Sequence, residues 1–254
     1  MENLPGGSVG SAVDYLTRLA QLRRAPDERS IVTALVDVFG VSIAGAMRIS
    51  EHTEHSSAAA DARSALWELG SVQDDHGAVS FVVDETAVRV ACQLATYDVG
   101  LRVGVQFYHP QSTQLDPDAV TTSHILTIVE RARLFLKKHG PITCDGFIFA
   151  DPEKHAEGDR GGYTELVTSG DGDFLTEDTL WDFKVSASKP NKDHTLQVLM
   201  YFLMGKESGL LEFDSLTHIG LFNPRLGTVH RLAVADVPAD VVEIVRCNVI
   251  GYSG

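Results

Sequence analysis

Residues 169–205 read SGDGDFLTEDTLWDFKVSASKPNKDHTLQVLMYFLMG and combine strand-like and helix-like patterns with charged residues. Two short runs within it, GDFLT (172–176) and TLWDFKVS (179–186), have the aromatic and apolar composition of β-strands. Only a short polar segment separates them, which favours a β-hairpin. The residues that follow, KDHTLQVLMYFLMGKES (192–208), predict a helix.

The two predicted strands carry charged residues among apolar neighbours. Residues two apart in a strand share a face, so Asp182 and Lys184 point to one side and Phe183 to the other. A hairpin would also bring Asp173 across from this pair. The sequence therefore predicts that two carboxylates and an ammonium group converge.

These groups suit the hydrolysis of a phosphodiester. Such a reaction needs a metal ion, stabilisation of developing negative charge and a positioned water. Asp173 and Asp182 would hold Mg²⁺ or Mn²⁺, which prefer oxygen ligands, and the main-chain carbonyl of Phe183 is a further candidate ligand. Lys184 would orient the attacking water or neutralise charge.

Composition limits the class of protein. At 254 residues and 44% hydrophobic, the chain can bury a substantial core in one large or two small domains. We find no apolar run near the roughly 18 residues of a membrane span and no export signal, and Cys92, Cys144 and Cys247 are widely spaced. A cytoplasmic protein that does not engage membranes is expected.

Charge argues against a protein that coats nucleic acid. The formal net charge is −14, whereas affinity for a phosphate backbone comes largely from lysine and arginine. Basic residues are nevertheless concentrated in two segments, 131–138 and 184–206. Lys189 and Lys192 lie in the second segment, and we predict that they contact a substrate phosphate from a loop at the rim of the site.

The chain divides by pattern into a first region, 1–117, that is mainly helical and a second region, 118–254, that combines helices and strands. An α/β (α+β) protein is therefore expected. The runs that carry these predictions are helices at 11–25, 30–49, 85–103, 124–140 and 192–208, and strands at 78–84, 142–150, 163–176, 179–186, 217–225 and 229–237.

An acidic strand, a D-x-K strand and a Q-x-x-x-Y helix follow one another here as Asp173, Asp182–Lys184 and Gln197–Tyr201. This order resembles the PD-(D/E)XK nuclease superfamily, especially the branch of RecB-type nucleases and CRISPR-associated exonucleases. The resemblance covers roughly 118–235. It implies a restriction-endonuclease-like core, in which helices flank a mixed β-sheet, and metal-dependent cleavage of DNA or, less often, RNA. It further implies that Gln197 and Tyr201, one helical turn apart, contact substrate or orient Lys184.

The match departs from the superfamily pattern in places. Glycine rather than proline precedes Asp173. A further acidic residue on the preceding helix would be Glu130, a candidate metal ligand, with Glu165 as its rival. His155 could take the part of the histidine ligand of the RecB branch. Small nucleases of this type with helical extensions often act in restriction or phage defence, which is implied by resemblance alone.

Other interpretations stay open. A D-x-K triplet by itself usually forms an exposed ion pair of little energetic value. The chain could be a catalytically silent copy of the fold that binds nucleic acid or protein. It could also be a structural subunit that forms a homo-oligomer or binds a partner through its first region, where VDVFGVSIAGAM (36–47) is apolar.

Several conspicuous residues are set aside. His52 and His55 are spaced as metal ligands one helical turn apart, but no third ligand is evident. Asp171 is interpreted as a turn residue. The segment PGGSVGS (5–11) imitates a phosphate loop without a preceding strand or a G-K-[ST] ending, which favours a flexible N-terminus.

Overall fold

The computed structural model describes residues 2–113, 115–154 and 161–253. The chain forms two compact units, Met1–Arg133 and Leu134–Gly254. The division falls inside a helix, further along the chain than the 117/118 division that the sequence pattern predicts.

The first unit is mainly helical, as predicted. Its elements are α1 (Gly6–Leu19), β1 (Arg23–Arg24), α2 (Glu28–His52), α3 (Ala58–Leu66), β2 (Ser71–Gln73), β3 (Val79–Phe81), α4 (Glu85–Ala95), α5 (Asp98–Arg102), α6 (Pro110–Thr113) and most of α7 (Ala119–His139). The three short strands form an antiparallel sheet with the order β1-β3-β2.

Helix α2 contradicts the expectation that no segment is apolar enough to cross a membrane. By length and composition it qualifies, with a mean hydropathy of 1.8 over an 18-residue window of which 39% is buried. The helix packs against α5, where a Cβ at Gly45 would lie 2.0 Å from the carbonyl oxygen of Tyr97. A core helix of a soluble protein passes the same test of composition, and this packing is compatible with one.

Three local predictions in this unit are wrong. The segment 5–11 is not a flexible N-terminus, because α1 begins at Gly6 and buries Val9. The run 85–103 forms two helices, which allows the Asp98 carboxylate at the start of α5 to accept a hydrogen bond from the Tyr15 hydroxyl at 2.7 Å. Helix α7 begins within the predicted loop, because the side chain of Asp118 accepts a hydrogen bond from the first helical turn.

The second unit contains a five-stranded mixed sheet flanked by helices, which confirms the predicted fold class. The elements after α7 are β4 (Cys144–Ala150), β5 (Ser169–Leu175), β6 (Thr179–Phe183), α8 (Lys192–Ser208), β7 (His218–Asn223), β8 (Thr228–Ala233) and α9 (Ala239–Ile244), which continues into a π-helical turn at Val245–Ile250. The strand order is β4-β5-β6-β7-β8; β6 and β7 are parallel, and the other neighbours are antiparallel.

Hydrophobic packing fixes the direction of the side chains of β6. On one face, Phe135 at the end of α7 stacks on Phe222 with 3.9 Å between ring centroids and contacts the buried Trp181. On the other face, Leu180 packs into the core that α8 covers. Asp182 shares the face of Leu180, so the aspartate of the D-x-K motif is directed toward α8.

Candidate active site

Asp182 is the most deeply buried group of the site, with 4% of its surface exposed. Its Oδ1 atom lies 2.9 Å from Lys184 Nζ, whereas its Oδ2 atom is buried and has no hydrogen-bond partner among the described residues. Burial raises the pKa of Asp182, and the Lys184 ammonium opposes this shift. A shielded carboxylate oxygen without a donor is unfavourable unless a cation or another ligand compensates it.

Asp173 lies beside Asp182 because of how the β5–β6 hairpin ends. The paired register stops at Phe174 and Trp181, one position before the two aspartates. Beyond that point, Asp173 Oδ2 accepts the main-chain N–H of Phe183 at 2.5 Å. The side chain thus replaces a main-chain acceptor, which holds one Asp173 carboxylate oxygen against the backbone between Asp182 and Lys184.

The Lys184 ammonium joins the strand to the helix. Besides Asp182, it donates to Gln197 Oε1 at 3.3 Å, and its main-chain N–H continues the β6–β7 pairing through Phe222. Burial disfavours the charged form, but the carboxylates of Asp182 and Asp173 outweigh it and raise the pKa of Lys184. The lysine is therefore held as a cation.

Helix α8 supplies Gln197 and Tyr201, one turn apart. Gln197 Nε2 donates to the Tyr201 hydroxyl at 3.1 Å, so a continuous chain of polar contacts runs from Asp182 through Lys184 to Tyr201. A Cβ at Gly170 would lie 2.9 Å from the Tyr201 ring, so this glycine permits the close approach. Burial, with the nearby Asp171 and Asp182 carboxylates, raises the pKa of Tyr201.

The other acidic and histidine candidates have different settings. Glu130 belongs to the first unit, where its carboxylate forms two hydrogen bonds with the Arg133 guanidinium at 2.7 and 2.8 Å. Glu165 is exposed in the segment before β5. His155 lies outside the described residues. Asp171 is in strand β5, so its interpretation as a turn residue is wrong.

The two lysines predicted to contact substrate differ in setting. Both are exposed, but Lys192 is the first residue of α8, so only Lys189 lies in the loop. Asn223, which is 2% exposed at the end of β7, holds this loop by donating through Nδ2 to the Ser186 carbonyl at 2.8 Å. Sequence patterns give no signal for Asn223, because its contact joins distant positions of the chain.

His194 is a second residue that the sequence interpretation missed. It precedes Gln197 by three positions and Tyr201 by seven, which is the spacing of one helical face and could have revealed it. The half-buried imidazole is close enough to Asp182 that positive charge on it would lower the pKa of that carboxyl.

The two histidines spaced as metal ligands in the first unit, His52 and His55, are not arranged as a metal site. His52 ends α2, whereas His55 follows the helix and packs edge-on against Tyr108, so the two are not on one helical turn. No cluster of three or more His, Cys, Asp or Glu side chains suited to a metal ion occurs in the described part of the chain. Asp173 and Asp182 are two carboxylates on neighbouring strands, and carboxylate, main-chain and water oxygens are the ligand types that Mg²⁺ accepts.

In comparisons with known proteins, no protein-family model, curated protein or solved structure matches this chain. Function is therefore inferred from the motif and the geometry of the site.

Proposed function

We propose that the protein is a metal-dependent nuclease that hydrolyses phosphodiester bonds, with DNA favoured over RNA. The observation that carries this proposal is the buried Oδ2 of Asp182, which has no hydrogen-bond partner in the described part of the chain and lies next to Asp173 and Lys184. The chain isolates negative charge where a cation would compensate it. The resemblance to the PD-(D/E)XK nucleases assigns the same residues to that role.

The donor set fits Mg²⁺ or Mn²⁺. Both ions prefer carboxylate and carbonyl oxygen and keep several waters, so two aspartates are an adequate protein share of the ligands. Asp182 and Asp173 would hold the ion, with the Phe183 carbonyl as a further oxygen. Bound there, the ion would polarise a phosphoryl oxygen of the substrate.

Lys184 and the helix residues have separate tasks. The Lys184 ammonium, fixed between Asp182 Oδ1 and Gln197 Oε1, is placed to orient the attacking water and to stabilise negative charge in the transition state. Gln197 acts as a positioning residue, and the Tyr201 hydroxyl fixes its amide. These contacts pre-organise the ammonium before substrate binds.

A catalytically silent binding protein is less well supported by this geometry. Such a protein would gain nothing from a buried carboxylate oxygen that is unfavourable without a cation and would repel phosphate. A role in restriction or phage defence is implied by the resemblance, and the cytoplasm is the compartment expected from the cysteine spacing; both are part of the proposal. The contribution of residues 1–117, including an interface with a second copy or a partner, stays a prediction.

The direct test is cleavage of labelled single- and double-stranded DNA and RNA by the purified protein in Mg²⁺, Mn²⁺ or EDTA. We expect cleavage with either metal and none in EDTA. Asp173→Ala and Lys184→Ala should each lower the rate by at least about a hundred-fold, since each removes a group that acts on the metal, the water or the transition state.

Gln197→Ala should lower the rate by less than either of these variants, because a positioning residue leaves the ammonium in place. The exposed Asp236 supplies a control, since Asp236→Ala removes a carboxylate remote from these contacts. Cleavage that is equal in EDTA, or equal in all the variants, would refute the proposal.

A further inference from the structure

The first turn of α8 fixes the ring of His194. Asn191 caps the helix: its side-chain oxygen accepts the main-chain N–H groups of Asp193 at 3.0 Å and of His194 at 3.1 Å. In return, the main-chain N–H of Asn191 donates to His194 Nδ1 at 3.3 Å. This reciprocal arrangement is a capping box, in which glutamate or glutamine usually occupies the place of His194.

The capping box decides which nitrogen of His194 carries hydrogen. Because the main-chain N–H of Asn191 is a donor, Nδ1 must present its lone pair. The hydrogen of the neutral ring is therefore on Nε2, which becomes a hydrogen-bond donor with a fixed orientation. A glutamate at this position would satisfy the cap equally well but would provide no donor.

His194 also occupies the helical face that forms the candidate active site. Gln197 and Tyr201 follow it at the spacing of successive turns, and Gln197 contacts Lys184 directly. From the sheet, Asp182 faces this end of the helix and interacts electrostatically with the imidazole. The half-buried ring thus extends the row formed by Lys184, Gln197 and Tyr201 toward the start of α8.

We propose that His194 is a further substrate-binding residue, whose Nε2–H donates a hydrogen bond to a non-bridging phosphate oxygen of the nucleic acid. This inference rests on the proposed nuclease function. The two nitrogens of the ring have different roles: Nδ1 accepts the Asn191 N–H and stabilises the helix, and Nε2–H donates to the substrate. Lys189 and Lys192 provide charge, whereas His194 provides a directed hydrogen bond.

Two substitutions distinguish the role of His194 in capping the helix from its role as a hydrogen-bond donor to substrate. His194→Glu retains an acceptor for Asn191 N–H and replaces the donor by a negative charge. His194→Gln retains the acceptor, and its amide also carries a donor. The exposed His76, between β2 and β3 of the first unit, supplies a matched control, His76→Gln, which removes an imidazole that takes no part in these contacts. Helix integrity is measured by thermal unfolding of each full-length variant.

Binding of a fluorescent DNA oligonucleotide in metal-free buffer and cleavage in Mg²⁺ are the readouts. We expect His194→Glu to have the melting temperature of the wild type. Its affinity for the oligonucleotide should be about ten- to a hundred-fold lower, which is the effect expected for loss of a hydrogen bond to a charged group. His194→Gln should retain most of the affinity, and His76→Gln all of it.

Wild-type affinity and cleavage in His194→Glu would overturn the inference and leave the nuclease proposal intact. Losses that follow the melting temperature in every variant would also overturn it, because they would show that the ring acts only in the cap. If the wild type cleaves no DNA or RNA with either metal, the proposed function fails, and this inference fails with it.

Discussion

Among the described residues, each unit buries one aspartate almost completely, and the surroundings of the two carboxylates differ. In the first unit Asp98 is 7% exposed, and its Oδ1 accepts hydrogen bonds from the hydroxyls of Tyr15 at 2.7 Å and Ser42 at 2.6 Å. In the second unit Asp182 is 4% exposed; one oxygen contacts Lys184, and the other has no hydrogen-bond partner within the described ranges.

Burial raises the pKa of both carboxyls, so the physical problem of desolvation is shared. At Asp98 hydroxyl donors compensate the buried charge, which is what a group that fixes the packing of helices requires. At Asp182 the compensation is incomplete within the protein. The contrast favours a structural role for the first carboxylate and supports our proposal that the second binds a cation.

The largest expected effect comes from a variant that tests whether Asp182 binds a cation. Asp182→Asn keeps the shape and an acceptor for Lys184 but removes the charge, so cleavage should fall at least about a hundred-fold. The free energy of unfolding should stay the same or rise, because burying a neutral amide is less unfavourable than burying a carboxylate. Initial rates and thermal unfolding followed through the buried Trp181 measure both quantities. A marked loss of stability would show that Asp182 is structural.

Asp98→Ala tests whether Asp98 stabilises the fold. It removes the acceptor of two buried hydroxyls, Tyr15 and Ser42, and we expect the free energy of unfolding to fall by about 2–4 kcal/mol. Urea denaturation followed by circular dichroism measures this. The matched variant Asp98→Asn keeps an oxygen that accepts both bonds and should lose much less. Equal losses in the two variants would mean that the hydroxyl contacts contribute little.

The smallest effect concerns exposed charges rather than buried ones. Lys189→Glu combined with Lys192→Glu should weaken DNA binding in metal-free buffer and reduce the salt slope by about 1 per lysine. Fold and metal binding should be unchanged. The pair Lys137→Glu and Lys138→Glu, at the end of α7, makes the same change in net charge. An equal fall in affinity for both pairs would show that net charge, and not this loop, limits binding.

Much of the second unit could be predicted from sequence because its signals are local. The apolar run of α8 predicts 192–208, and these are its bounds in the structure, since Asn191 caps the helix and Gly209, with φ of 72°, ends it. The β5–β6 hairpin follows from two strand-like runs and a short connection. Strand alternation and helical spacing together bring Asp173, Asp182, Lys184, Gln197 and Tyr201 into one cluster.

The first unit was less predictable, because its decisive contacts join distant positions. Strands β1 and β2 have two and three residues, too short for a periodic signal, and both depend on pairing with β3. The break between α4 and α5 depends on hydroxyl donors from α1 and α2, the helices of Tyr15 and Ser42. Glycine-rich residues 5–11 become helical although glycine disfavours helices, because packing overrides propensity.

By itself, the sequence determined which residue types could perform metal-dependent hydrolysis and in which order they occur, because side-chain chemistry and short-range periodicity are properties of the chain. Tertiary structure alone accounts for the shielding of Asp182 Oδ2, which has no hydrogen-bond partner among the described residues. It also accounts for the bond from the Phe183 N–H to Asp173 and for the bond from the Asn191 N–H to His194 Nδ1. The burial of a side chain and its hydrogen-bond partners depend on which elements pack together. The free energy of a charged group follows from those surroundings rather than from its position in the sequence.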